Sequence, residues 1–239
     1  MGAAPNPAPD AAARRVARAA EHVAEPTAEH ATEPAAEHVA EPAAAPVPAH
    51  GRHELHGARV RLRAWCDADL APFAALNADP EVMRHFPALL TRTESDAFAA
   101  RVRAHIDAHG FGLWALEVPQ IGFAGFVGVS SKVPFDLSMP WLLPEPHEIG
   151  WRLARAAWGR GYATEAAALA LRHAFEVLRR PQIVSFTALG NTVSQRVMQR
   201  IGLARRAEFL HPRLPEGHPL RPHVVYAQDA PFPTGARPR

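Results

Sequence analysis

The chain of 239 residues predicts a single α/β domain with a mixed α+β sheet, preceded by a disordered extension. Strand-like and helix-like runs alternate through the second half of the sequence, as in layered α/β folds. The string Trp158-Gly159-Arg160-Gly161-Tyr162-Ala163-Thr164-Glu165-Ala166 stands between a strand-like run and a strongly helical one. Residues 1 to about 50 share none of this patterning, consisting of Ala, Pro, Glu and His with almost no large apolar side chain.

The extension carries an eight-residue repeat, with His22, His30 and His38 each following a glutamate and Pro26, Pro34 and Pro42 closing each unit. The prolines break any helix the alanines favour, and nothing in the segment buries enough surface to offset chain entropy. Its histidines have no rigid scaffold, so adventitious metal binding is the most they offer. A domain is expected over 51–230, with a short tail over 231–239. Three arginines against seven acids make the first 50 residues net negative, so the whole chain's +2 leaves the remainder near +6. That excess is spread along the sequence, which suits an anionic ligand and lacks the clustered stripe of a nucleic-acid binder. The single Cys66 excludes an intramolecular disulfide and a cysteine zinc site, and is read as a buried residue. No run is long and apolar enough for a membrane helix or a signal peptide, which points to a soluble, cytoplasmic protein without a metal.

Within the domain, Arg59 to Trp65 alternates polar and apolar residues, the pattern of a half-buried strand. Asp67 or Asp69 offers an N-cap to a helix carrying Leu70, Phe73 and Leu76, and Asp79-Pro80-Glu81 starts another, with proline at its first position. Thr93 to Asp96 opens a longer helix, whose apolar face is Phe98, Val102 and Ile106 and whose end is Gly110. Strands follow at about 112–117 and 123–129, then a proline-rich segment from Pro134 to Pro146 and a strand from Glu148 to Leu153. A helix from Glu165 to Leu178, a strand from Ile183 to Ala188, a short helix from Thr192 to Ile201 and a last strand near Val224 to Ala227 complete the order.

The glycine string at the strand-to-helix junction is suited to an anion. Glycine lets backbone N–H groups approach closely, and the first free N–H groups of the helix add partial positive charge. It lacks the lysine and hydroxyl of a nucleotide-triphosphate loop and the G-x-G-x-x-G of a dinucleotide site. The nine residues from Trp158 to Ala166 resemble the acetyl-CoA pyrophosphate loop of the GCN5-related N-acetyltransferases, in the branch similar to enzymes that modify ribosomal protein N-termini. Trp158 departs from the arginine or glutamine usual at the loop's first position. The strings Leu62 to Trp65, Asp79 to Met83, Glu148 to Leu153, and Asn191 with Ser194, Val197 and Met198 extend the resemblance over 55 to 228. Leu55 to Arg59 departs from the usual lead-in.

The resemblance implies that Arg160, Gly161, Tyr162, Ala163 and Thr164 hold the pyrophosphate of acetyl-CoA, with the strand from Glu148 to Leu153 gripping the thioester end through Ile149, Trp151 and Leu153. Strand alternation puts Glu148, Gly150 and Arg152 on the opposite face from these three. Glu148 is the candidate general base, directly or through a water; an ion pair with Arg152 or another arginine is the competing role, and His147 the competing base. Asn191 is implied to hold the pantetheine arm, with an N-cap as its plain alternative. Ser194 is implied to give a proton or a hydrogen bond to the leaving thiolate. The expected partners are acetyl-CoA as co-substrate and an amine acceptor, either a protein N-terminus or a small molecule, acted on by a monomer or homodimer. A non-catalytic coenzyme A-binding module is the alternative, as it would need neither Glu148 nor Ser194.

Overall fold

A computed structural model describes residues 54–231; the repeat extension with His22, His30 and His38 and the tail from 232 onward lie outside the described residues. The elements run β1 (Leu55–His56), β2 (Arg61–Arg63), α1 (Leu70–Asn77), α2 (Pro80–Met83), α3 (Arg92–His109), β3 (Leu113–Val118), β4 (Gly122–Ser130), β5 (His147–Leu153), α4 (Tyr162–Glu176), β6 (Gln182–Ala188), α5 (Thr192–Arg200), β7 (Ala204–Leu210) and β8 (Pro222–Asp229). The strands form one eight-stranded mixed sheet in the order β1-β2-β3-β4-β5-β6-β8-β7, as the α/β pattern requires.

Local chemistry starts and stops the helices where expected in two places. Asp79 accepts a hydrogen bond from the Glu81 amide and Pro80 fills the first position of α2. At α3, Gly110 ends the helix in the left-handed region with φ 76°. The start of α3 lies slightly earlier than Thr93, because Thr91 and Glu94 form a reciprocal capping box. Before α1 the expected aspartate cap is absent. Asp69 is instead buried and held by both terminal nitrogens of Arg63, at 2.8 and 2.9 Å, tying β2 to the helix. Cys66 is exposed, not buried as its sequence context suggested.

Helices cover both faces of the sheet. On one face α1 and α3 bring Phe73 and Phe98 against Phe126 of β4, with ring centroids 6.0 and 5.8 Å apart. On the other, α4 sets His173 edge-on to Trp114 of β3 at 5.5 Å. α5 lies on the α4 side, where Tyr226 of β8 donates to Gln195 at 3.2 Å. The segment between β4 and β5 covers the β6–β8 region of the first face, packing Val133 and Leu137 on Val184, Val225 and Ala227.

Two strands escaped the sequence pattern. β1 is only a two-residue rung beside β2. β7 is an edge strand whose Ala204, Arg205, Arg206, Glu208 and Leu210 are exposed, so it shows no apolar alternation. Charge on an edge strand also discourages pairing with another chain.

Gly125 of β4 has φ 131°, and a Cβ there would run into the carbonyl oxygen of Arg152 on the paired strand. Gly125→Ala is expected to lower unfolding stability by about 2–3 kcal/mol, from backbone strain and a clash the strand cannot relieve. Gly159→Ala is the comparison: its φ is also positive, at 72°, but a Cβ there meets nothing within 4 Å, so the loss should be smaller. Urea unfolding of the two variants checks the order, and equal losses would refute the clash.

Candidate active site

Every neighbouring pair of strands in the sheet is antiparallel except β5 and β6, which run parallel. These two are paired only at His147↔Ile183 and Glu148↔Val184. Beyond Glu148, β5 stays on β4 as far as Gly125↔Leu153, while β6 stays on β8 as far as Ala188↔His223. The two strands therefore part just past Glu148 and leave a wedge-shaped opening. Paired residues share a face, so Glu148, Val184 and Phe186 look to the α1–α3 side. Ile149, on the other side of the strand, packs in the α4-side core.

Glu148 sits at the apex. It is 7 % exposed and its Oε2 has no hydrogen-bond partner. Burial pushes its carboxyl up to about 8. The ion pair with Arg152 does not form. Four residues apart on one strand face are roughly 13 Å apart, and Arg152 is engaged elsewhere, donating to Asn77 Oδ1 at 2.6 Å. Between them lies Gly150, where a Cβ would meet only Glu148 Oε1, at 3.8 Å, so the strand face is open there. His147, the competing base, lies on the other face against Phe111 at 6.3 Å. Burial first, and then the Arg180 charge, hold its imidazole down to about 4, which makes it a weak base.

Arg152 and Asn77 form a buried pair that sequence reasoning missed. The guanidinium lies over the Phe86 ring at 4.0 Å, and burial lowers its pKa to about 9, so it stays charged at pH 7. Asn77 also donates to Ser95 at 2.9 Å and accepts the Leu90 amide at 3.1 Å. The Asn77 side chain thus fastens β5 to α3, and its backbone carbonyl holds the segment after α2. The partners are 75 residues apart, and no local pattern marks them.

On the α4 side, Gly159 and Gly161 both adopt left-handed backbone, with φ 72° and 81°, and Gly161 is the N-cap of α4. Glu165 is the residue whose N–H turns back to Gly161 O, at 3.1 Å. The N–H groups before it are the unsatisfied first turn of a 15-residue helix. Tyr162 is buried, Ala163 and Thr164 are half-buried, and Arg160 is exposed. Arg59, which precedes β2, holds this loop in place. Its amide and Nε donate to Glu165 at 2.7 and 2.8 Å, and its Nη1 donates to Arg160 O at 2.9 Å. The sequence did not reveal this clamp, because an acid in a helix's first turn is ordinary. A phosphate group fits the arrangement: two glycines, a free helix N-terminus and an adjacent arginine.

Asn191 and Ser194 lie at the start of α5, on the same face as α4. Asn191 Oδ1 accepts the Ser194 amide at 3.2 Å, so the cap reading of Asn191 is met. Its amide nitrogen donates to Thr187 at 2.9 Å. Both side chains are half-buried. Trp151 is half-buried, whereas Ile149 and Leu153 are buried. The Leu153 carbonyl is taken by Trp158 Nε1 at 2.8 Å, so that backbone acceptor is occupied. The loop and the α5 start thus lie on one face of the sheet, and the buried carboxylate at the parting of β5 and β6 lies on the other.

The chain matches the acetyltransferase (GNAT) domain over residues 59–204. It is 31% identical over 146 residues to the uncharacterized protein YkkB of Bacillus subtilis, covering 61% of this chain and 81% of that protein. It is 30% identical over 164 residues to the FsC-acetyl coenzyme A-N(2)-transacetylase of Aspergillus fumigatus, covering 66% of this chain and 67% of that protein. Its fold is similar to that of Mycobacterium smegmatis RimJ, solved in complex with CoA-disulfide, with a TM-score of 0.57 at 20% identity over 72% of this chain and 82% of that one. The domain match spans more than half of the sequence and takes in β2 to β6, the loop and α5: the chain belongs to the GNAT acetyltransferase family.

Proposed function

We propose that the protein moves the acetyl group of acetyl-CoA directly to a primary amine, with Glu148 as general base. The observation that carries this is the buried carboxylate with an unpartnered oxygen at the point where β5 and β6 part. A coenzyme A-binding module would have no use for it, and an idle buried carboxylate is costly.

Backbone N–H groups from Arg160 to Thr164 hold the pyrophosphate, with the Arg160 side chain free to add a contact. Asn191 positions the pantetheine arm beside the free edge of β5, which Ile149 and Trp151 line. Acetyl-CoA, when bound, supplies an activated acyl carbon. On the opposite face, Glu148 takes a proton from the acceptor's ammonium, directly or through one water. The freed nitrogen lone pair forms the C–N bond as the C–S bond breaks, the amine's second proton leaves, and the sulfur takes a proton. Ser194 stabilises that sulfur by a hydrogen bond. A carboxyl held near 8 matches this task, being basic enough to take the proton yet partly ionised at neutral pH.

The string from Trp158 to Ala166 and the likeness to the RimJ fold support the branch acting on protein N-termini, with small-molecule amines as the alternative acceptor. Among the described residues no helix is long and apolar enough to cross a membrane.

Gly161→Glu should abolish calorimetric binding of acetyl-CoA, because it sets a carboxylate at the helix N-terminus where phosphate would lie. Unchanged affinity would put the cofactor elsewhere.

Glu148→Gln should lower kcat/KM about 100-fold at pH 7, with the gap narrowing above pH 9 where free amine is abundant. An equal loss at every pH would leave Glu148 a structural residue. The same variant has a stability signature. The folded-state pKa of about 8 lies above the ordinary 4.5, so the stability tied to this proton is full below 4.5 and is lost as pH rises through 8. The glutamine variant should therefore melt above the wild type at pH 9 and lose that advantage at pH 5.

A further inference from the structure

Across the opening from Gly150, five rings gather on the face that carries Glu148. Phe186 of β6, Phe209 of β7 and Phe135 of the segment before β5 are each only partly buried, and His211 and His223 lie behind them. Phe135 meets Phe186 edge-on at 5.1 Å and His211 at 4.4 Å. Phe209 lies 5.6 Å from His223 and 6.1 Å from Phe186, and the two histidines are 4.7 Å apart. β6 lies inside the sheet, where a side chain is normally covered. Yet Phe186, packed with Phe135 and Phe209 on the core cluster of Val184, Val225 and Ala227, is only partly buried, one residue further along that face than Val184.

Position adds to this. Val184 is level with Glu148 in the parallel pair, and Phe186 is the next residue on that face, roughly 7 Å further along. An amine nitrogen at Glu148 therefore has a ring face about one short alkyl spacer away. Charge narrows the choice. The face residues Val184, Phe186, Ala188, His223, Val225 and Ala227 bring no carboxylate. Burial lowers the His223 pKa below its ordinary 6.5, which keeps that imidazole neutral at pH 7. Arg152 and Arg213 are the nearby cations, the latter donating to the Pro134 carbonyl. The next acid on that face, Asp229, is held by Gln182 and Arg206. A second positive charge on the acceptor would therefore meet rings and a neutral imidazole, whereas an aromatic body would stack on the rings.

We infer that the acceptor is a primary amine carried two carbons from an aromatic ring, with the ring held by Phe186, Phe135 and Phe209. The inference rests on the acetyl-transfer reading above and specifies its acceptor. A free arylalkylamine and the α-amine of an N-terminal aromatic residue share this spacing, and both sources can be tested separately.

The full-length protein is assayed for thiol release from acetyl-CoA with phenethylamine, pentylamine and spermidine, and with two short peptides that begin with Phe or Ala. Phenethylamine should exceed pentylamine about tenfold in kcat/KM, from the larger buried area of the ring and its stacking on the wall, and spermidine should be the poorest. Whichever source is natural, its aromatic member should exceed its aliphatic one. Calorimetry without acetyl-CoA should show the same order in Kd. Phe186→Leu, which keeps the bulk of the wall, should bring the two amines within about twofold while leaving acetyl-CoA affinity and unfolding temperature in place. Parity of phenethylamine and pentylamine in the wild type, or a preference for spermidine, overturns the aromatic wall and leaves acetyl transfer standing. Tight phenethylamine binding without transfer to any amine overturns the acetyl-transfer reading and leaves the wall standing.

Discussion

The rest of the molecule depends on one seam. β5 and β6 share two rungs and then part, because each is committed to a different neighbour. β4 holds β5 through six antiparallel rungs, and β8 holds β6 through seven. The sheet is in effect two antiparallel ribbons stitched at His147 and Glu148. Antiparallel ladders are slightly more stable per residue than parallel ones, so each strand follows its stronger partner once the seam ends. The opening is held by ordinary pairing on either side and needs no special strain. It places a helix N-terminus on one face and a carboxylate on the other, with backbone between them.

The apex illustrates how burial sets chemistry. Glu148 and Arg152 sit on one strand face with opposite charge, and mutual neutralisation would have silenced both. Distance prevents it, and the two residues find different solutions. Arg152 keeps its charge by lying over Phe86 and donating to Asn77. Glu148 has no such support and holds its proton more tightly instead. One residue becomes a fastener of the helical layer, the other a titrating group.

Much of this was legible in the residues, and the exceptions follow a rule. The loop at Gly159 and Gly161 was visible because left-handed backbone demands glycine, and α3 because caps and apolar spacing are local. The alternation of β5 assigned Glu148 and Ile149 to opposite faces correctly. What escaped was long-range or featureless. Arg59 and Glu165 are 106 residues apart, and either alone looks like an ordinary surface charge. Asn77 reads as a helix-end amide until Arg152 is seen against it. β7 carries charge because it is an edge, and charge erased the alternation that would have shown it. Asp69 was misread as a cap because an aspartate before a helix has that use more often than a buried ion pair with an arginine of the preceding strand, here Arg63 six residues back. The Ser194 and Asn191 roles came from resemblance, and local geometry adds only that Asn191 also caps its helix.

The edge strands invite a different consideration. β7 and β1 are the outermost members of their ribbons, and neither touches the seam. Substitutions on them are read by solvent and by a single neighbour. Such positions form a mutational reservoir, where surface charge and solubility can drift without disturbing the rungs at His147 and Glu148. Relatives of this chain could therefore diverge widely along their margins while sharing one reactive opening, and sequence identity averaged over the whole domain would understate how similar their centres are.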